Sequence, residues 1–209
     1  MRIKTCLLLI IACTVFSLEN AAQSAFTIQP LSDSIFQRMQ GKSYPHDCVV
    51  KRDDLRYLTV LHVDAKGQEH KGELVCNKAI ADDLIDIFRE LYRARYPIEH
   101  MHLIDDYDAE DERSMRDNNT SCFCYRAISG SKKLSKHAQG LAVDINPLYN
   151  PYVKGAKVQP KTARRYVNRR RAYIYKIEPG DLLCRLMKQH GFTWGGNWRS
   201  LKDYQHFEK

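Results

Sequence analysis

The stretch Ser135-Lys136-His137-Ala138-Gln139-Gly140-Leu141-Ala142-Val143-Asp144-Ile145-Asn146 constrains this chain more than any other. A histidine and an aspartate stand seven residues apart in it, with small residues between them. Ala142-Val143-Asp144-Ile145 alternates as a strand does, which sends Ala142 and Asp144 to one face. Gly140 lets the chain turn tightly just before that strand and brings His137 round toward the same face. Close to the C-terminus, Asp203-Tyr204-Gln205-His206 supplies a second half. His137, Asp144 and His206 together make a three-ligand zinc set with a fourth position left open. Asp203 lies three residues before the last ligand, near enough to serve an activated water.

The motifs Ser-x-His-x-x-Gly-x-Ala-x-Asp and, far downstream, Trp-Gly-Gly-x-Trp with Asp-x-x-His-Phe resemble the M15 family of zinc peptidases. That family includes D-Ala-D-Ala carboxypeptidases and dipeptidases, and the L-alanyl-D-glutamate endopeptidases of phage lysins. The resemblance covers roughly residues 74–208 and is strongest over 118–150 and 191–208. Two separated motifs in the right order make it specific, where His-x6-Asp alone would be weak.

The resemblance implies a peptidase that holds one zinc ion through His137, Asp144 and His206 and cuts amide bonds in peptidoglycan stem peptides. It implies Asp203 as the general base, since relatives carry Glu or Asp there. It implies Arg126, which precedes the Ser-x-His motif, as the guanidinium that stabilises the oxyanion. Ser135 corresponds to a serine that hydrogen-bonds substrate in such dipeptidases, although it can equally cap local backbone. Trp194 and Trp198 bracket the glycine turn and either pack in the core or line the site as substrate-binding groups. The Asp-x-x-His form leans toward the endopeptidase branch. The Asp-Ile-Asn-Pro and Asn-Pro-Tyr context looks like proteins described as D-Ala-D-Ala carboxypeptidase-like, so the bond cut stays open. The fold expected is α+β: a mostly antiparallel sheet with flanking helices and the zinc at the sheet's edge, as in Hedgehog and D,D-peptidase domains. Hedgehog signalling domains bind zinc without confirmed peptidase activity, so a non-catalytic, zinc-containing module that binds the cell envelope is the alternative.

At 209 residues, the chain suggests one domain with length enough for a sizeable core. Arg2 and Lys4 precede the apolar run Thr5–Leu18, and small residues follow at Ala21, Ala22, Ser24 and Ala25. This reads as a secretory signal peptide over 1–24, with the peptidase domain over 25–209. A lipoprotein signal ending at Cys13 is the alternative. Destinations are the periplasm, the envelope or the exterior, with no integral membrane segment once the signal is removed and a monomer expected. The formal charge is +8, and losing Arg2, Lys4 and Glu19 leaves +7, which suits an anionic envelope. Five cysteines lie outside the signal: Cys48, Cys76, Cys122, Cys124 and Cys184. They read as structural, an oxidising compartment permits up to two bridges among them, and their pairing does not follow from sequence.

Elsewhere the chain offers scaffold. A short helix is expected near 32–40, a strand over 55–63, a return strand over 72–76 and a helix from an Asn77 cap to about Tyr96. His100–Ile104 reads as a strand whose histidines are ordinary, and Ser121–Ile128 as a strand carrying Arg126. The acidic run Asp105–Asp117 lacks calcium-loop spacing and reads as a solvated loop. The basic run Lys161–Arg171 has no aromatic platform or nucleic-acid motif, so it reads as solvated or envelope-facing surface, with no nucleic-acid partner. Asp181 caps a last helix that Gly191 ends.

Overall fold

A computed structural model describes residues 25–127 and 133–209; the expected signal segment lies outside them. The longest regular unit is the antiparallel pair β2 (Leu55–Val63) and β3 (Glu69–Asn77), with β1 (Thr27–Pro30) added on the outer side of β2. The expected hairpin is there and its return strand is longer than expected. The β1 strand was not foreseen, because the run around it mixes polarity without alternation. Helix α1 (Asp33–Met39) starts at Ser32, whose Oγ accepts from Ile35 N at 3.3 Å.

Asn77 does act as a cap: its Oδ1 accepts from Ala79 N at 3.0 Å. The segment opens as a 3-10 turn (Lys78–Ile80) and then becomes α2 (Ala81–Arg93). Leu84, Ile85, Ile87, Phe88 and Leu91 recur at helical spacing and are all buried against β2. Each such side chain removed from water contributes about 1.5–3 kcal/mol, so this face drives the packing. Helix α3 (Asp111–Arg116) follows, and later α4 (Leu182–Gln189) begins at Asp181, whose Oδ1 accepts from Cys184 N at 2.8 Å. Its buried Leu183 and Met187 join the α2 core. A smaller apolar cluster around Leu31, Met39, Leu55, Val75, Leu103 and Phe123 lies beside the main one.

Two further three-stranded antiparallel sheets are built from very short strands. One has the order β4 (Ala142–Asp144), β9 (His206–Glu208), β7 (Thr193–Trp194). The other has β5 (Tyr152–Lys154) in the middle, flanked by β6 (Lys157–Gln159) and β8 (Lys202–Asp203). The fold is thus α+β with antiparallel pairing, divided among three small sheets in place of the one sheet expected. Among the described residues, no helix is long and apolar enough to cross a membrane.

Several expectations are corrected. His100–Ile104 is not a strand: His100 only bridges Asn119, and a 3-10 turn begins at Ile104. Here the chain crosses the edge of β3, where Glu73 N donates to Met101 O at 2.9 Å. The 121–127 segment is extended but forms no continuous ladder. Its backbone donors go to different neighbours in turn: Ser121 to Asp144 O, Phe123 to Val75 O, Cys124 to His137 O and Tyr125 to Ser43 O. The acidic run is not a simple solvated loop. Asp105 is buried and accepts from Ser43 N at 3.0 Å, and Asp111 turns toward a guanidinium. Nor is the basic run wholly solvated. Half-buried Arg169 donates to Tyr149 O, Asn150 Oδ1 and Ile177 O and lies over the Tyr204 ring at 4.4 Å. The five cysteines are free thiols, with Cys76, Cys122 and Cys124 buried.

Candidate metal centre

Gly140 ends the 3-10 turn His137–Gln139 in the left-handed region, φ +68°. A Cβ there would sit 2.6 Å from Asn77 N, so glycine is required on both counts. The turn reverses the chain and sets His137 over β4. Asp144 and His206 are direct register partners across β4 and β9. Cross-strand partners share a face, so the strand pairing itself brings the carboxylate beside the second imidazole. All three side chains are buried.

The tautomers follow from the outer partners. His137 Nδ1 lies 2.6 Å from Cys122 O. A carbonyl only accepts, so Nδ1 carries the proton and Nε2 presents a lone pair. His206 Nε2 lies 3.1 Å from Glu208 Oε2, which by the same logic leaves Nδ1 bare in the neutral ring. Three acceptors then face one another: His137 Nε2 to His206 Nδ1 is 3.1 Å, His137 Nε2 to Asp144 Oδ1 is 3.2 Å and His206 Nδ1 to Asp144 Oδ1 is 3.0 Å. Such a triangle repels itself unless a cation sits among its lone pairs. Tetrahedral zinc with ligands about 2.0–2.1 Å away has ligand–ligand edges of about 3.3 Å, close to those found. The donor set of two imidazoles and one carboxylate suits zinc as well. Outer carbonyl and carboxylate partners of this kind are the usual supports of metal-binding histidines.

Protons are the other cation that can fill the triangle. Burial lowers the His206 pKa, but Asp144 and Glu208 outweigh it and carry the imidazolium up to about 10. Burial pushes the Asp144 carboxyl up, yet the two imidazoles hold it far below the usual carboxylate range.

The cluster opens on a cleft of about 530 Å³. Asp203 enters it from β8, where Tyr152 of β5 is its register partner. Its Oδ1 is shut off from solvent and has no hydrogen-bond partner among the described residues. Burial chiefly pushes its pKa up, to about 6, with His206 opposing and Asp144 adding to the rise. Gly195 lets this carboxylate approach the ligand. A Cβ at 195 would meet Asp203 O at 2.6 Å, Asp203 Cβ at 2.9 Å and His206 Cβ at 3.3 Å.

Arg126 also lines the cleft, with Nε 2.8 Å from Asp111 Oδ2 as an ion pair. Ser135 lies on the cleft wall, and its Oγ accepts from Ala138 N at 3.1 Å, capping the turn that carries His137. The two tryptophans part company. Trp198 walls the cleft, its ring centroid 5.3 Å from that of His206. Trp194 is in the core, stacked on Phe207, with its indole N–H donating to Tyr204 O at 2.9 Å. Sequence reasoning did not find Asp111, Glu208, Gln205 or the β5–β6 hairpin, all of which contribute to the cleft lining. The hairpin had a signal in the alternating Tyr152-Val153-Lys154 and Lys157-Val158-Gln159 around Gly155. The others had none, because each matters only through a partner distant in sequence.

A buried pocket of two imidazoles and a carboxylate, open to a cleft and flanked by a further shielded carboxylate, has the layout of a metal-dependent hydrolase. Residues 129–209 match a family model described as D-alanyl-D-alanine carboxypeptidase. The matched region is under half of the chain but holds His137, Asp144, Asp203 and His206, and it supports an M15-family peptidase. No curated protein and no solved structure matches the chain.

Proposed function

We propose that the chain is an exported zinc-dependent peptidase that hydrolyses an amide bond in peptidoglycan stem peptides. The observation that carries this reading is the triangle of three lone pairs beside the shielded Asp203 carboxylate. Bound by His137, Asp144 and His206, zinc supplies Lewis acidity toward a water and a carbonyl oxygen. The chain's own groups do the rest. Asp203 takes a proton from the attacking water at its carboxylate and passes it to the leaving amine nitrogen as the C–N bond breaks. Arg126 offers its guanidinium to the oxygen on which negative charge grows, and Asp111 fixes the direction of that guanidinium. Trp198 shields the flank of His206 and gives the substrate an apolar wall.

The test is incubation of purified, zinc-loaded protein with muropeptides, with and without a chelator, and mass spectrometry of the products. Loss of terminal alanine assigns a carboxypeptidase. Release of L-Ala from the rest of the stem assigns an endopeptidase. Intact muropeptides after incubation with zinc-loaded protein overturn the peptidase and favour an envelope-binding module.

A further inference from the structure

Gln205 lies between the base and the last ligand in sequence, yet its place in the cleft matches neither role. Only 3% of its surface is exposed, and it contributes to the cleft lining. Its backbone carbonyl is used: Ile145 N donates to it at 3.0 Å. Its Nε2 faces Met115 Sδ at 3.6 Å, a weak acceptor. The same amide lies against the Asp203 carboxylate and partly counters the effect of burial there. Those two neighbours take up the N–H₂ end. Oε1 is then left buried with no hydrogen-bond partner among the described residues. A buried carbonyl oxygen left unpaired is unfavourable, and native structures rarely keep one without a use.

We infer that Gln205 is a specificity-determining residue whose Oε1 accepts a hydrogen bond from a backbone N–H of the bound peptide, close to the bond that is cut. This rests on the peptidase reading and narrows it. The substrate must present an amide N–H at this point, so an N-methylated or ester-linked analogue would be rejected there. Sites that pair a buried polar group with a substrate donor discriminate strongly, because an analogue lacking the donor leaves the protein group unpaired.

The experiment uses a stem pentapeptide and a set of variants, each N-methylated at one backbone amide. Each is tested against the zinc-loaded wild type and Gln205→Met, which keeps length and removes the acceptor. Dissociation constants and kcat/KM are recorded separately. One amide position is expected to be coupled to residue 205. N-methylation there costs the wild type about tenfold and Gln205→Met little, while Gln205→Met loses about tenfold on the parent peptide. Gln205→Asn, with a shorter reach, should recover only part of the loss. Equal penalties in wild type and Gln205→Met at every position overturn the assignment, as does unchanged affinity and turnover in Gln205→Met. If the peptide binds without being cut, the peptidase reading falls while coupling in the dissociation constants still decides the role of Gln205. If no stem peptide binds or is cut, both fall together.

Discussion

The β2–β3 hairpin and the β4–β9 pair are both antiparallel, but the first runs through nine register partners and the second through three. The long hairpin lies on an apolar helix face and is held by burial: Leu58, Val60 and Leu74 against Leu84, Ile87 and Phe88. The short pair sits over the same core through Val143 and Phe207, while its other face sets Asp144, His206 and Glu208 beside the small Ala142. The turn that leads into it is tied by single bonds to distant segments, His137 Nδ1 to Cys122 O and Asn77 N to Gly140 O. Residues 25–93 therefore form a scaffold that is stable for apolar reasons, and the zone around 137–146 and 193–208 is one that the proposed cation would complete. Burial is non-directional and tolerates variation, whereas a lone-pair triangle depends on each atom in it.

The sharpest way to break this comparison is to remove the metal. Chelation is expected to abolish hydrolysis entirely, and zinc added back should restore it and raise the thermal midpoint. At a thousandfold excess over Kd, the stabilisation would be about 4 kcal/mol. Hydrogen exchange after chelation should rise at 137–146 and 203–208 and stay slow in β2, β3 and α2. Uniform loss of protection across both zones would show that they are one cooperative unit and sink the distinction. Next in size, Asp203→Asn should retain one equivalent of zinc and the wild-type midpoint while kcat falls by about 10²–10⁴. Full turnover in that variant removes Asp203 from the base role.

The same contrast governs how much could be read beforehand. The 55–63 strand, the α2 stripe and the Asp181 cap were legible because period and capping are local signals, each contained within a few residues. His137, Asp144 and His206 were legible as a set from two spaced motifs, and the strand pairing that unites the last two was not. Short strands leave too few residues for a period to show. Asp111 stood in what read as a solvated acidic run, since nothing near it in sequence reveals Arg126 at 2.8 Å. The tryptophans split between core and cleft because the same Gly-Gly turn presents one indole inward and the other outward.

Within the scaffold, Phe88→Ala opens a cavity under α2 and should cost about 3–5 kcal/mol of stability by denaturant titration. Surviving folded protein should keep its zinc and its specific activity. A Phe88→Ala protein that is fully stable yet inactive would reverse the division of labour proposed here. Gly195→Ala is the converse probe, small in volume but placed where Asp203 and His206 meet. It should lower kcat/KM by tenfold or more through displaced functional groups, with a stability loss within about 1–2 kcal/mol. Unchanged kinetics would show that the base and the ligand tolerate more slack than their packing suggests.

The smallest effect expected is at Asp181, and it tests the scaffold through polar contacts alone. Its Oδ1 caps α4 through Cys184 N, and its Oδ2 accepts from Glu178 N at 3.1 Å and from Tyr96 OH at 3.1 Å. Asp181→Ala removes the cap and leaves the Tyr96 hydroxyl without its partner, at a combined cost of about 1–2 kcal/mol. Asp181→Asn keeps an acceptor for the cap and should recover most of that. Helix α4 shares the α2 core and leads into β7, yet no atom of Asp181 reaches the cleft lining. Loss of stability without loss of kcat/KM is therefore the expected outcome, read from parallel denaturant and kinetic measurements. A fall in kcat/KM with zinc still bound would mean that the helix start is mechanically tied to the strand bearing His206, and the zone around 193–208 would have to extend toward the N-terminus to take in Asp181.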